Sequence, residues 1–204
     1  MKEPSFYLFM RPILNALFRI LFFPTLKGTE KIPKDGRIIV AANHTHPLDC
    51  ILVACATKRC VHFLAKEELV HGKLRVAFRN LGIIPVNRKA KDSNALASAE
   101  AILHDDKMIG IFPEGRVNHT EETVLPLKFG AVKMAHDTGT KIIPAAITGR
   151  YWPLGRNIKI HFMEPYTVGD DLEKANEELR SIILNKINEV GFKNRRIVKQ
   201  KNEK

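Results

Sequence analysis

Several absences narrow the chemistry of this 204-residue chain before any motif is considered. No Gly-x-Ser-x-Gly elbow occurs, so the strained strand-to-helix turn that presents a nucleophilic serine is missing. Cysteine is scarce: Cys50, Cys55 and Cys60 recur every five residues without a Cys-x-x-Cys pair. An odd set at that spacing excludes a disulfide framework and a zinc knuckle, and reads as the buried, reduced thiols of a cytosolic protein. Aromatic residues make up only 7% of the chain, many of them in its N-terminal segment, so no stacking series accompanies the basic charge and nucleic acid is not an expected partner. No small-residue cleavage site follows that N-terminal apolar segment, which is therefore not read as a signal peptide.

Acidic charge is also in deficit: 33 Lys and Arg face 22 Asp and Glu, a net charge of +11. That balance favours anionic partners such as a phospholipid surface or a phosphorylated substrate. Residues 193–204 carry six basic residues against Glu203 alone, and the rest of the excess is spread over the body. With 45% apolar residues the chain has enough material for a sizeable core.

Residues 6–23 form an apolar segment interrupted by Arg11, Pro12 and Arg19. Arg11, Asn15 and Arg19 recur every four residues and share one narrow helical face. A central arginine is costly inside a bilayer, so the segment is expected to lie in the membrane interface, with Phe and Leu inward and the arginines at the headgroups. The rival reading is a helix packed on the core of its own domain.

After the turn Lys34-Asp35-Gly36, strand patterns at 37–42, 61–65, 83–86, 108–112, 142–148 and 158–162 interleave with helix patterns at 47–56, 73–81, 93–104, 128–137 and 171–190. Such alternation predicts an α/β fold, a single domain with a mostly parallel mixed sheet flanked by helices. The expected organisation is an N-terminal membrane-associated helix over 1–25, one domain over 26–192 and a basic tail over 193–204.

Within that frame the stretch Asn43-His44-Thr45-His46-Pro47-Leu48-Asp49 is the most informative. It follows an apolar strand and contains Pro47, a favoured first residue of a helix. A loop and one helical turn can fold Asp49 back onto His44. A carboxylate on one ring nitrogen fixes the tautomer and leaves the other to accept a proton. The pair is a candidate general base without a nucleophile of its own, so the hydroxyl it activates belongs to a substrate. Two further strand ends deliver arginines, in Leu81-Gly82-Ile83-Ile84-Pro85-Val86-Asn87-Arg88 and in Gly110-Ile111-Phe112-Pro113-Glu114-Gly115-Arg116. Ligands of open α/β sheets bind at that edge. Arg88 and Arg116 thus form a candidate anion site, with Lys128 as a third positive group.

These blocks, with the strand Ile143-Pro144-Ala145-Ala146-Ile147 after them, stand in an order that resembles the glycerolipid acyltransferase family, in particular its bacterial lysophosphatidate acyltransferases. The resemblance runs over residues 30–165. His46 stands where many members have serine, and Arg116 follows Gly115 directly where the usual block inserts a residue. The resemblance implies acyl transfer from an acyl thioester, of acyl carrier protein (acyl-ACP) or coenzyme A (acyl-CoA), to the free hydroxyl of lysophosphatidate. The product is phosphatidate, in phospholipid biosynthesis. It assigns His44 and Asp49 as the base, Arg88, Lys128 and Arg116 to the phosphate, and Glu114 and Gly115 to the acceptor site, with Glu114 on the glycerol portion. Donors for the reaction's oxyanion are expected near the helix start at Pro47. No metal and no bound cofactor is implied. The expected location is the cytoplasmic face of the cell membrane, against an anionic surface.

Three alternatives are open. Glycerol-3-phosphate or another lysolipid would use the same residues. A metal-dependent hydrolase is suggested by His44-Thr45-His46, although the aspartate falls one position late for a His-x-His-x-Asp-His site. A non-catalytic basic binder of membranes or nucleic acid would need only the charge.

Overall fold

Two strands that are buried along their whole length organise the molecule. In the computed structural model, which describes residues 5–66, 83–86, 93–155 and 157–191, every residue of Ile38–Ala42 and of Ile142–Thr148 is buried. Near-continuous apolar strands of this kind belong in a sheet covered on both faces. The predicted helix at 73–81, Gly82, Arg88 and the basic tail at 193–204 lie outside the described residues.

In chain order the described elements are α1 (Ser5–Phe22), β1 (Thr25–Lys27), β2 (Ile38–Ala42), α2 (Asp49–Ala54), β3 (Val61–Lys66), β4 (Ile84–Val86), α3 (Ser93–His104), β5 (Met108–Ile111), α4 (Gly130–Thr138), β6 (Ile142–Thr148), β7 (Lys159–Phe162) and α5 (Leu172–Glu189). Among the described residues the sheet has seven strands, in the order β1-β7-β6-β2-β5-β3-β4. β2 to β6 are mutually parallel, β7 runs antiparallel to β6, and β1 is parallel to β7. This is the mostly parallel, mixed α/β sheet that the alternating pattern predicts. β1 is an addition: three half-buried or exposed residues are too few to carry a readable period.

Two layers of helices close the sheet. On one face Leu103 of α3, Val132 and Met134 of α4, and Leu179 and Ile183 of α5 pack on Ile39, Ile109 and Ile142. On the other, Phe18 and Phe22 of α1 and Leu52 and Val53 of α2 pack on Ile38, Val40, Ile143 and Ile147. Pro144 is tolerated inside β6 because β7 has already ended opposite it, and its carbonyl still accepts from the Met163 N–H at 2.9 Å.

The N-terminal helix corrects one expectation. The Arg11 guanidinium donates to the Thr57 carbonyl, and Arg19 donates to the Cys55 carbonyl at 2.8 Å and to Asn15 Oδ1 at 2.7 Å. The guanidinium groups therefore reach toward the domain, to carbonyls at and just beyond the C-terminal end of α2, with Arg19 itself still exposed, where they were expected to point only outward. Periodicity identifies residues that share a face but not the direction in which that face points. The large apolar residues point outward instead: Phe9 is 68% exposed, Ile20 63% and Leu17 59%. Among the described residues no helix is long and apolar enough to cross a membrane.

Leu179 is completely buried in the layer formed by α5. Leu179→Ala is expected to lower the unfolding free energy by about 2–5 kcal/mol, measured by chemical denaturation. A loss close to zero would mean that α5 does not seal that face.

Candidate active site

β2 to β6 all end at one edge of the sheet, and the chain crosses from one side of β2 to the other between β5 and β6. Such a reversal of strand order opens a crevice at the carboxyl ends. β2 delivers Asn43 and His44, β5 delivers Phe112 to Arg116, and β6 delivers Gly149 to Tyr151. Asn43 locks β2 to β6 side by side: its amide donates to the Ile147 carbonyl at 3.0 Å, and its carbonyl accepts from the Ile147 N–H at 2.7 Å.

His44 and Asp49 meet as their spacing predicts. Nδ1 of His44 lies 2.9 Å from Asp49 Oδ2. An ionised carboxylate only accepts, so Nδ1 carries the hydrogen and Nε2 presents a lone pair. The His44 side chain keeps 17% of its surface exposed while Asp49 has none. The buried charge is surrounded by donors. Oδ2 also accepts the N–H of Thr45 at 2.6 Å and of His46 at 2.8 Å. Oδ1 accepts the Thr45 hydroxyl at 3.2 Å and the Tyr151 phenol at 2.6 Å. α2 begins at Asp49, where the pattern placed its start at Pro47. The N–H groups of Thr45 and His46 are spent on Asp49.

Glu114 ties two loops of the site together. It is buried, and both its oxygens are taken: Oε1 accepts the His44 N–H at 2.7 Å and Oε2 the Leu125 N–H at 2.9 Å. Burial raises its pKa above the ordinary carboxylate value, against the pull of the two N–H donors. The geometry is that of a brace between the loops after β2 and β5. Asn118 continues the brace, since its N–H donates to the His44 carbonyl at 2.8 Å.

Gly115 has φ +72°, and a Cβ there would stand 2.7 Å from the Lys128 side chain, so glycine admits both the left-handed turn and the lysine lying over it. The Lys128 N–H donates to the Pro113 carbonyl at 2.8 Å. Gly115 and Lys128 are thus brought together beside the His44 loop, and Arg116, exposed, adjoins them. Arg88, at the end of β4 in sequence, lies outside the described residues.

Aromatic rings finish the floor. His44 stacks on Phe112 with centroids 4.2 Å apart at 12°, and Phe112 stacks in turn on Phe63 at 5.9 Å. Gly110 is required here, because the Phe63 ring occupies the space of a Cβ. Phe63 also lines an apolar cavity of about 200 Å³ between α1, α2 and β3, with Leu14, Ile51, Ala54 and Val61. Cys50 borders it too. Burial and the neighbouring Asp49 charge push that thiol up to about 11, so it stays protonated at neutral pH and is a poor nucleophile.

His46 does not join His44 in a metal-like pair. Its Nδ1 accepts from the Leu48 N–H at 3.2 Å and its ring lies 4.6 Å from that of Tyr151. Among the described residues no three His, Cys, Asp or Glu side chains gather to hold a metal ion. Tyr151, Asn43 and Asn118 are site residues that the sequence did not single out for a role. They lie far from, or carry no spacing rule with, the groups they hold.

Residues 24–148 match the model of a family described as Acyltransferase. The chain is 33% identical over 175 residues to a 1-acyl-sn-glycerol-3-phosphate acyltransferase of Borreliella burgdorferi, covering 78% of this chain and 68% of the relative. It is 30% identical over 145 residues to the protein of that name from Bacillus subtilis, covering 70% and 71%. Its fold is similar to the crystal structure of the 1-acyl-sn-glycerophosphate acyltransferase from Thermotoga maritima, with a TM-score of 0.73 at 23% identity over 90% of this chain and 81% of the other.

Glu114→Gln replaces one acceptor with an NH2 group that must face a backbone N–H. The variant is expected to lose about 1–3 kcal/mol of stability, read by thermal or denaturant unfolding. Wild-type stability would show that the two loops do not depend on this brace.

Proposed function

Because this chain belongs to the acyltransferase family, we propose that it transfers an acyl group from a thioester to the free hydroxyl of lysophosphatidate, giving phosphatidate for phospholipid synthesis. The observation that carries the reading is the His44–Asp49 pair at the carboxyl edge of the sheet, in a chain whose curated relatives bear that acceptor in their names.

In this mechanism Nε2 of His44 takes the proton of the acceptor hydroxyl as its oxygen attacks the thioester carbonyl. Asp49 holds the ring and stabilises the imidazolium. The tetrahedral intermediate then collapses, the carbon–sulfur bond breaks, and the imidazolium returns its proton to the departing thiolate. Ester and thiol are the products, and the proton balance closes on His44 without a bound cofactor or metal. The nucleophile is the substrate's own, which agrees with a Cys50 thiol held protonated.

Arg88, Lys128 and Arg116 hold the acceptor phosphate, and the missing side chain of Gly115 leaves room for Lys128 to lie over its turn. Guanidinium and ammonium groups suit a phosphate through paired donors and point charge respectively. The apolar cavity beside Phe63 suits an acyl chain, and the Phe63–Phe112–His44 stack leads from it to the base. The donor is acyl carrier protein or coenzyme A, both anionic, against a chain of net charge +11.

The acceptor resides in a membrane, and the apolar face of α1 suits the cytoplasmic leaflet. Trp152 and Leu154 extend that face; each is 68% exposed beside the end of α1. The Arg11 and Arg19 contacts with the domain fix the roll of the helix so that this face points away from the sheet.

Acyl transfer is to be measured in detergent or vesicles, with lysophosphatidate and glycerol-3-phosphate offered separately and each thioester in turn. His44→Ala is expected to lower the rate on the order of 10²–10⁴ with the fold intact. Undiminished transfer would sink the general-base mechanism, and transfer to glycerol-3-phosphate alone would move the acceptor. Leu17→Asp combined with Ile20→Asp is expected to release the protein from anionic vesicles in a sedimentation assay at high salt. Unchanged binding would count against α1 as the membrane face.

A further inference from the structure

Asp49 draws its donors from two sources of different kind. The His44 ring, the N–H groups of Thr45 and His46 and the Thr45 hydroxyl all belong to the loop that Asp49 itself closes. The Tyr151 phenol comes from the end of β6, 102 residues away in the chain, and at 2.6 Å it is the short contact on Oδ1. The loop of Asp49 gives Oδ1 the 3.2 Å Thr45 hydroxyl contact alone, so the turn of the carboxylate about its last bond is fixed by that loop chiefly through Oδ2. The phenol on Oδ1 completes the setting of that angle, and with it the direction of the Nδ1 contact and of the His44 ring.

The phenol is suited to this. Burial first, and then the Asp49 charge, push its pKa far above the ordinary tyrosine value, so it remains a donor at every working pH. Its ring is placed by α1: Phe22 meets it edge-on with centroids 5.6 Å apart at 86°, and Phe18 at 6.2 Å and 65°. The same loop is tied to the helix by its backbone, where the Leu154 N–H donates to the Leu21 carbonyl at 2.6 Å. On either side of that bond Phe23 (φ +43°) and Leu154 (φ +61°) adopt left-handed conformations that such residues rarely hold. Tyr151 turns inward to Asp49 while Trp152 and Leu154 turn outward beside α1.

We propose that Tyr151 is a positioning residue for the His44–Asp49 pair, and that it makes the setting of that pair depend on how α1 sits on the domain. This rests on the general-base reading given above. The membrane-facing helix and the base are then mechanically joined: α1 holds the Tyr151 ring, the ring holds the phenol, and the phenol holds the carboxylate. A helix seated correctly gives an ordered base, and a displaced helix leaves Oδ1 to the long Thr45 hydroxyl contact alone.

The test uses the full chain in anionic vesicles, with Tyr151→Phe, Phe22→Leu and the double variant. Tyr151→Phe keeps the ring packing and removes one oxygen. It is expected to lower kcat about tenfold, with KM for both substrates changed less than about twofold and the melting temperature little altered. Phe22→Leu keeps an apolar contact without the ring and is expected to lower kcat severalfold. The double variant is expected to be no worse than the poorer single variant, since both act through one contact. A wild-type kcat in Tyr151→Phe would overturn the positioning role, and effects that multiply would overturn the link to α1. A second readout needs no turnover: the NMR resonance of the His44 Nδ1 proton is expected to shift and broaden in Tyr151→Phe. An unchanged resonance would overturn the proposal even if the acyl-transfer reading itself failed in the unmutated protein.

Discussion

The Asp49 carboxylate is the constraint on which the rest of the site depends. A charge without exposed surface is tolerable only when its oxygens are filled with donors, because an unpaired buried charge costs more than any single contact returns. Meeting that demand shapes the surroundings. The loop from Thr45 must bend so that two successive N–H groups point inward, which ends β2 and delays α2. The end of β6 must lie beside the end of β2 so that Tyr151 reaches Oδ1, and the two-way Asn43–Ile147 bond supplies that alignment. Glu114 then holds the His44 backbone from the other side. Three strands are thereby pinned at one edge, where loops would otherwise have the freedom of an exposed surface.

A similar economy governs α1. Arginines within an apolar helix would oppose burial in lipid, yet here they are used internally, on carbonyls at the end of α2. The last carbonyls of a helix lack intrahelical partners and carry the negative end of its dipole, so a guanidinium there meets both demands. Tyr7, Phe18 and Phe22 pack inward beside them. What remains outward is almost wholly apolar, a surface that water alone does not favour.

The sequence made local relations legible and left distant ones hidden. The sheet was readable because its strands are buried runs between turns, and the His44–Asp49 pair because five residues of loop and helix suffice to bring them together. Glu114 was visible as a motif residue, but its work as a brace was not, since its two N–H partners lie 70 and 11 residues away. Tyr151 gave no signal at all. It lies three residues beyond β6 and outside the Ile143–Ile147 block, and only the parallel pairing of β2 with β6 carries it to Asp49. The arginine stripe of α1 was found by its period and assigned the wrong direction, because the carbonyls that attract it belong to another helix.

A site that uses its substrate's hydroxyl as nucleophile must solve a problem of placement more than of activation. Proximity of two bound groups can replace much of the barrier, provided the base does not wander. The His44 ring has little freedom: Phe112 fixes its plane from one side, and Asp49 fixes its rotation through Nδ1. The weak point is the carboxylate's Oδ1, which its own loop holds only through the 3.2 Å Thr45 hydroxyl contact and which needs a firmer hold from outside. That hold is given to a tyrosine whose ring leans on the helix bearing the exposed apolar face. In the proposed reaction the acceptor is a lipid, and the exposed apolar face of the same helix is the surface proposed to meet its membrane, which would order the base where its substrate is found.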